Sequence, residues 1–120
     1  MSTSNLNSVI VEGVVVGVTK YTDLMHITLL SHRYYRQYDD VLREDNYFQV
    51  VVYGKKYVEC CSKLVELDKS IRVVGRLHSL QYIGSSGSSV EIVAEHIEAT
   101  PDKKEPEDDG DWEVREEPPL

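Results

Sequence analysis

Five stretches of the chain have the composition or the alternation of β-strands, in which every second side chain faces the core. The first stretch, residues 8–18, is dense in β-branched residues and is interrupted by Gly13 and Gly17, as in a long, bent strand of a small barrel. The pattern predicts the other four strands at residues 24–35, 47–53, 71–82 and 90–99. Together they indicate an all-β domain.

One segment between the third and fourth strands has helical spacing instead. Its apolar residues recur at intervals of three and four, which predicts a short amphipathic helix over residues 55–67. Residues 36–46 are charged and lack periodicity, so we expect a solvated hairpin loop there. Residues 84–89 contain only Gly and Ser, which is typical of a flexible hairpin connection.

The order of these elements predicts the fold. Five strands with one helix between the third and the fourth is the arrangement of the OB-fold, a partly open barrel that binds oligonucleotides or oligosaccharides. A chain of 120 residues is long enough for one such domain but not for two. We therefore expect one OB-fold domain over residues 1–100.

Acidic charge is concentrated at the C-terminal end. The net charge is −8, but residues 101–120 contain nine acidic and three basic residues, which leaves twelve acidic and ten basic residues in the body. The body is thus close to neutral, which is compatible with a local basic face. Residues 101–120 cannot bury enough apolar surface to fold, so we expect a disordered tail.

The end of this tail is less uniform than its middle. Trp112 is the only tryptophan of the protein, and the chain ends in Pro118, Pro119 and Leu120. Apolar residues in an acidic, disordered segment are typical of a peptide ligand for a basic pocket on a partner protein. A solubilising tail with an incidental tryptophan explains the same pattern equally well.

Tyrosines of the third strand share one face. Alternation places Tyr47 and Tyr53 opposite Phe48, Val50 and Val52, which form a good core face, so the two tyrosines are predicted to point outward. Exposed aromatic rings suit single-stranded nucleic acid because bases stack on them. Tyrosine is also common at half-buried strand positions, so each ring alone has a plain structural explanation.

Arginines accompany the tyrosines on two further strands. In the fourth strand, alternation groups Arg72 and Arg76 with Tyr82 on one face. The second strand ends in Tyr34 and Tyr35, with an arginine on either side, and either tyrosine could face outward because a bulge would exchange them. The repeated pairing of aromatic and basic residues favours a surface for bases and phosphates.

No motif predicts catalysis, a cofactor or a metal site. The four histidines are dispersed without metal-ligand spacing, and a disulfide between the adjacent Cys60 and Cys61 would be strained. No nucleophile lies beside a base in a known motif, so we expect a protein that is not an enzyme. The N-terminus lacks the basic and apolar segments of an export signal, so we expect a cytoplasmic protein.

Several strings, in their order and spacing, resemble the bacterial single-stranded DNA-binding protein family. The resemblance covers about residues 5–99 and, more loosely, the tail. It implies a protein that coats single-stranded DNA without sequence preference during replication, repair and recombination. The strings are Asn-Ser-Val-Ile-Val-Glu-Gly at 7–13, Ile-Thr-Leu-Leu-Ser at 27–31, Phe-Gln-Val-Val-Val-Tyr-Gly-Lys at 48–55 and Leu-Asp-Lys-Ser-Ile-Arg-Val-Val-Gly-Arg-Leu at 67–77.

The resemblance also implies which residues bind DNA. The family stacks bases on aromatic residues at four strand positions, and strand alternation independently selects three of them. We expect nearby cations to contact phosphates. The stacking positions fall on Tyr35, Tyr47, Tyr53 and Tyr82, and the predicted phosphate contacts are Arg33, Arg36, Lys55, Arg72 and Arg76.

Assembly and partners are implied in the same way. Family members are usually homotetramers paired through the first strand, where the apolar segment 14–16 is compatible with an interface, and we expect nucleoid association. An OB-fold protein-interaction module of the primosome type, with weak DNA binding, is the alternative, favoured by the near-neutral body without tryptophan. The tail is expected to dock on genome-maintenance proteins through Trp112, Glu116, Glu117, Pro118, Pro119 and Leu120.

Overall fold

The computed structural model describes residues 4–81, 88–101 and 113–114. Within them the chain forms six strands and one helix, and the helix lies between the third and fourth strands as predicted. In chain order the elements are β1 Val9–Lys20, β2 Leu24–Gln37, β3 Asp40–Tyr53, α1 Lys55–Cys61, β4 Ser70–Gln81, β5 Ser88–Ala99 and β6 Glu113–Val114.

The five long strands close into a barrel. β1 pairs along its first half with β4 and along its second half with β2, both antiparallel. β4 pairs with β5 and β2 pairs with β3, also antiparallel, and a short parallel pairing of β3 with β5 completes the ring. This closed order, β1-β4-β5-β3-β2, confirms the predicted OB-fold.

Alternate side chains of the strands fill the barrel interior. Two residues of α1, Val58 and Cys61, join the same core cluster. Because the core takes every second side chain, it also fixes which residues face outward on each strand. The buried core consists of Val15, Met25, Ile27, Leu29, Val50, Val52, Val58, Cys61, Val65, Ile71, Val73, Ile92, Ala94 and Ile97.

Two glycines allow neighbouring strands to approach closely. A Cβ atom on Gly13 would lie 2.6 Å from the carbonyl oxygen of Leu30, and one on Gly75 would overlap the carbonyl oxygen of Val93. The pairing of β4 with β5 also shifts register between Val74 and Gly75. A side chain at either glycine would push the adjacent strand away, so the barrel requires glycine at both positions.

The prediction of a loop at residues 36–46 is wrong. β2 and β3 continue there as one antiparallel hairpin, in unbroken register up to Gln37 opposite Asp40. The connection is two residues long, and Tyr38 takes the left-handed conformation, with φ 56°, that suits so tight a turn. Charged and aromatic cross-strand pairs stabilise this part of the hairpin, so hydrophobic periodicity could not reveal it.

The helix is shorter than predicted. α1 ends at Cys61, and the backbone N–H groups of Leu64 and Val65 both donate to the Cys61 carbonyl in the turn that follows. Val65 is nevertheless fully buried in the core. The predicted apolar stripe is therefore correct, although its second half lies on a turn.

The described part of the tail adds one short strand. β6 pairs in parallel with Tyr35 and Arg36 of β2, so regular structure occurs at two residues of a segment expected to have none. No helix among the residues that the structure describes is long and apolar enough to cross a membrane.

Candidate nucleic-acid interface

The outer face of the barrel carries two of the predicted stacking tyrosines. Tyr47 and Tyr53 lie on the side of β3 opposite the core residues Val50 and Val52, and they are 63% and 50% exposed. Six residues of extended strand separate the two rings by about 20 Å. A bound single strand that contacts both would therefore run along β3.

A nearly buried carboxylate lies beside Tyr53. Glu91 on β5 is 9% exposed, and its Oε1 accepts a hydrogen bond from the Tyr53 hydroxyl at 3.2 Å. The same oxygen lies 3.1 Å from Nδ1 of His78, its cross-strand neighbour on β4. Partial burial and the charge of Glu91 raise the pKa of Tyr53, so the phenol remains the donor in this contact.

The two arginines on the outer face of β4 have different surroundings. Arg72 donates from Nε to Glu12 on β1 at 2.8 Å and from Nη1 to Glu98 on β5 at 2.7 Å. These bonds, first the one to Glu12, raise the pKa of Arg72. Contrary to expectation, Arg72 therefore offers no free guanidinium to a phosphate, because two carboxylates already occupy it.

Arg76, in contrast, is exposed. It forms no ion pair with any residue in the described ranges, and its positive charge acts on the phenol of Tyr53. A cation on the same face as an exposed ring is the combination that the stacking of a base and the pairing of its phosphate need. Arg76 and Tyr53 thus share one outer face, because Arg76 lies opposite Val93 of β5, which pairs with Val51 of β3.

The structure places Tyr35 away from the other stacking tyrosines. Because β2 and β3 pair without a bulge, alternation puts Tyr34, and not Tyr35, on the face of Tyr47 and Tyr53. The Tyr35 residue is 6% exposed, with the guanidinium carbon of Arg33 lying 5.9 Å from the ring centre. The expected stacking role does not fit this position, because a buried ring leaves no face for a base.

Tyr34, the alternative outward tyrosine of β2, meets an arginine on the hairpin that sequence reasoning left out. Arg43 lies over the ring of Tyr34 at 5.9 Å and contacts Asp45 at 2.6 Å. The hydrogen bond to Asp45 raises the pKa of Arg43. Arg43 belongs to the segment that was predicted to be a loop, where strand alternation could not be applied, so no sequence signal pointed to Arg43.

The remaining predicted phosphate contacts differ in how available they are. Arg33 lies 3.6 Å from Glu44 across the hairpin, and Arg36 is half-buried on the same face as Tyr34. Lys55 is exposed at the first residue of α1, two positions after Tyr53. Lys55 and Arg76 are thus the most accessible cations of the predicted set.

Part of the predicted site lies outside the described residues. This holds for Tyr82, which comes directly after the last residue of β4, and for all the predicted docking residues of the tail. Their roles stay predictions. The docking residues concerned are Trp112, Glu116, Glu117, Pro118, Pro119 and Leu120.

An apolar groove opens beside Tyr47. It has a volume of about 330 Å³, and Leu77 and Val90 at its edge are 48% and 55% exposed. Alternation predicts both residues inside the barrel, together with Ile92. They are exposed because β3 and β5 pair over only two residues each, which leaves the barrel open at this edge.

Of the two cysteines, only Cys61 fits a packing role. Cys60 is exposed and Cys61 is buried, both as free thiols, and burial raises the pKa of the Cys61 thiol. A thiol held in its protonated form among apolar neighbours is a poor nucleophile. In the described ranges, no three His, Cys, Asp or Glu side chains form a group that could hold a metal ion.

Comparison with known proteins decides the family. The model of the single-strand binding protein family matches residues 6–100, which include the whole outer face described above. The chain belongs to this family. No curated protein sequence matches it.

Solved structures of proteins named as single-stranded DNA-binding proteins share the fold of this family member. The Plasmodium falciparum protein, in a complex with single-stranded DNA, superposes with a TM-score of 0.68 at 16% identity, over 84% of this chain and 100% of its own. A small protein from Streptomyces coelicolor gives 0.60 at 18% identity, covering 81% and 96%.

A third structure is larger than this family member. A deletion mutant of the Thermus aquaticus protein gives a TM-score of 0.64 at 24% identity, and the match covers 80% of this chain but 51% of the Thermus chain. The chain thus corresponds to about half of that protein. At these identities the likeness establishes a common fold.

Proposed function

We propose that this member of the single-strand binding family binds single-stranded DNA without sequence preference. The outer face carries the proposal, because Tyr47 and Tyr53 expose their rings along β3 and the exposed Arg76 lies on the same face. Each base stacked on such a ring contributes about 1–3 kcal/mol whatever its identity. The complex of the Plasmodium falciparum relative with single-stranded DNA supports the proposal.

Titration of fluorescent oligo-dT and of a duplex of equal length, each at two salt concentrations, tests this function. We expect tight binding to oligo-dT that weakens with salt, because phosphate pairing releases counterions, and little binding to the duplex. Absence of oligo-dT binding at low salt, or equal affinity for the duplex, would contradict the proposal.

The proposal extends to the processes in which the protein acts and to the division of the chain. We place residues 1–100 in a DNA-binding domain that coats single strands in replication, repair and recombination, and residues 101–120 in a tail that recruits partner proteins. Deletion of 101–120 should leave oligo-dT affinity unchanged or up to about threefold tighter, because the acidic tail competes with phosphates for the same cations. Loss of binding on deletion would show that the tail belongs to the domain.

We further propose that the protein is a cytoplasmic homotetramer associated with the nucleoid. β1 exposes Ile10 and Val16, which a partner chain would cover, whereas Val15 lies in the core of its own barrel and is not available. Sedimentation velocity measures the assembly directly. Four chains per particle are expected, and a monomer at micromolar concentration would contradict this part.

The interaction-module alternative has one observation in its favour. Arg72, which was expected to contact DNA, is paired with Glu12 and Glu98, so the outer face is less basic than the sequence indicated. Under this alternative the protein would bind a partner protein and show no salt-dependent binding of oligo-dT. The titration above therefore distinguishes the two functions.

A further inference from the structure

Glu91 is an unusual residue for its position. It is one of two buried polar residues in the described part of the chain, and it belongs to the outer face rather than to the core cluster. A carboxylate removed from water is unfavourable unless it accepts hydrogen bonds. Glu91 meets this requirement with the hydroxyl of Tyr53, which belongs to the proposed DNA surface, and with Nδ1 of His78 on β4.

The sheet order explains how one carboxylate reaches both partners. β5 lies between β3 and β4 in the barrel, so Glu91 has Tyr53 on one side and His78 on the other. Beside it on the same face, Val51 of β3 pairs with Val93 of β5, and both are buried. Glu91 therefore lies at a fixed, well-packed point of the surface.

Hydrogen bonding at the hydroxyl restricts the ring of Tyr53. A free tyrosine side chain on a surface rotates, and this freedom is lost whenever a base stacks on the ring, which weakens binding. A ring whose hydroxyl is already held loses less on binding. Tyr47 provides a contrast, because its hydroxyl has no hydrogen-bond partner among the described residues although its ring is similarly exposed.

We propose that Glu91 is a positioning residue of the single-strand interface: it holds the Tyr53 ring through the phenolic hydroxyl, ready for a base to stack. Glu91 itself touches no DNA in this arrangement. The inference rests on the proposed function. It adds that the hydroxyl of Tyr53 contributes to affinity, although base stacking by itself needs only the ring.

Removal of single hydroxyl groups gives the first test. Tyr53→Phe keeps the ring and loses the bond to Glu91, so the ring must be ordered when a base stacks on it, and oligo-dT affinity should fall by about 2- to 10-fold, the cost of immobilising one side chain. Tyr21→Phe is the control, at a tyrosine that is 55% exposed and lies outside the proposed interface, and it should stay within about twofold because its hydroxyl has no hydrogen-bond partner among the described residues. Equal effects of the two substitutions would overturn the proposal.

Substitution of Glu91 gives the second test. Glu91→Ala should bind oligo-dT more weakly than Glu91→Gln, because both remove the same negative charge and only alanine also removes the acceptor of the Tyr53 hydroxyl. The double variant of Tyr53→Phe with Glu91→Ala should be no weaker than Tyr53→Phe alone, because both substitutions remove the same bond. Glu91→Gln keeps an acceptor oxygen and should restore affinity to within about twofold of the parent protein. Additive losses, or no rescue by glutamine, would overturn the positioning role.

A spectroscopic measurement separates this inference from the proposed function. The Tyr53 phenol, followed by NMR through an alkaline titration without DNA, should ionise at lower pH in Glu91→Gln, because the neighbouring charge that raises its pKa is removed. An unchanged titration would mean that the contact does not hold the ring in solution. If oligo-dT does not bind the parent protein, the proposed function fails even where this contact is observed. If it binds and Tyr53→Phe has no effect, only the inference fails.

Discussion

The outer face of β4 has two ends that differ in what their arginines contact. At the closed end, where β1 and β5 both pair with β4, Arg72 donates hydrogen bonds to Glu12 of β1 and Glu98 of β5. At the open end, beyond the last residue of β4 that pairs with β1, Arg76 is exposed on the same face as Tyr53. The two arginines lie on the same face of the same strand, so neither residue type nor strand periodicity accounts for the difference.

The neighbouring strands account for it. The register of β4 places Arg72 between Glu12 of β1 and Glu98 of β5, whereas Arg76 lies opposite Val93 of β5. An arginine between two carboxylates stabilises the sheet, and an arginine beside an exposed tyrosine can bind a ligand. Cross-strand partners therefore decide which cations of this barrel are available to a ligand.

The largest expected effect is on stability, at Gly75, where the register shift between β4 and β5 separates the two ends. In Gly75→Ala, the new methyl group would overlap the carbonyl oxygen of Val93, so β4 and β5 would have to separate. We expect a loss of about 3 kcal/mol or more in the free energy of unfolding, at the upper range of overpacking. Urea denaturation measures it, with Gly17→Ala, where the added atom would meet only Thr28 at 3.4 Å, as a milder control.

At the open end, the ring of Tyr53 should matter most for binding. Tyr53→Ala removes a stacking surface and should weaken oligo-dT binding by about 1–3 kcal/mol while the barrel stays folded. Fluorescence titration gives the affinity, and circular dichroism checks the fold. Unchanged affinity would remove Tyr53 from the site.

Separate replacement of the two arginines by alanine tests the difference between the two ends of β4. Arg76→Ala should reduce the slope of log affinity against log salt by about 0.7, the value for one phosphate contact on a single strand. Arg72→Ala should leave that slope nearly unchanged, because its guanidinium is already paired. Titrations at four salt concentrations measure both slopes. Equal reductions in the two variants would mean that DNA displaces the carboxylates from Arg72.

The smallest effect on oligo-dT affinity is expected when the two carboxylates that pair with Arg72 are removed. Replacement of both Glu12 and Glu98 by Gln removes two negative charges and frees Arg72 for a phosphate, so oligo-dT affinity should rise by about two- to threefold at low salt. The gain should disappear at high salt, where exposed charges are screened. No gain at low salt would indicate that DNA does not pass over this end.

The sequence alone determined much of this protein. Apolar alternation located the barrel parts of the five strands, and on β3 and β4 it assigned the outward faces of Tyr47, Tyr53 and Arg76 correctly. These features depend on neighbours two residues away along a strand, which a pattern can reveal. The strings that resemble the family pointed to the family to which the chain belongs.

Only the tertiary structure decided the rest. The unbroken register of the hairpin put Tyr34 rather than Tyr35 on the face of Tyr47. The partners of Arg72 lie 60 and 26 residues away in sequence, and Glu91 lies 38 residues from Tyr53. Such contacts depend on how separate strands align across the barrel, and a local pattern of hydrophobic and polar residues does not specify that alignment.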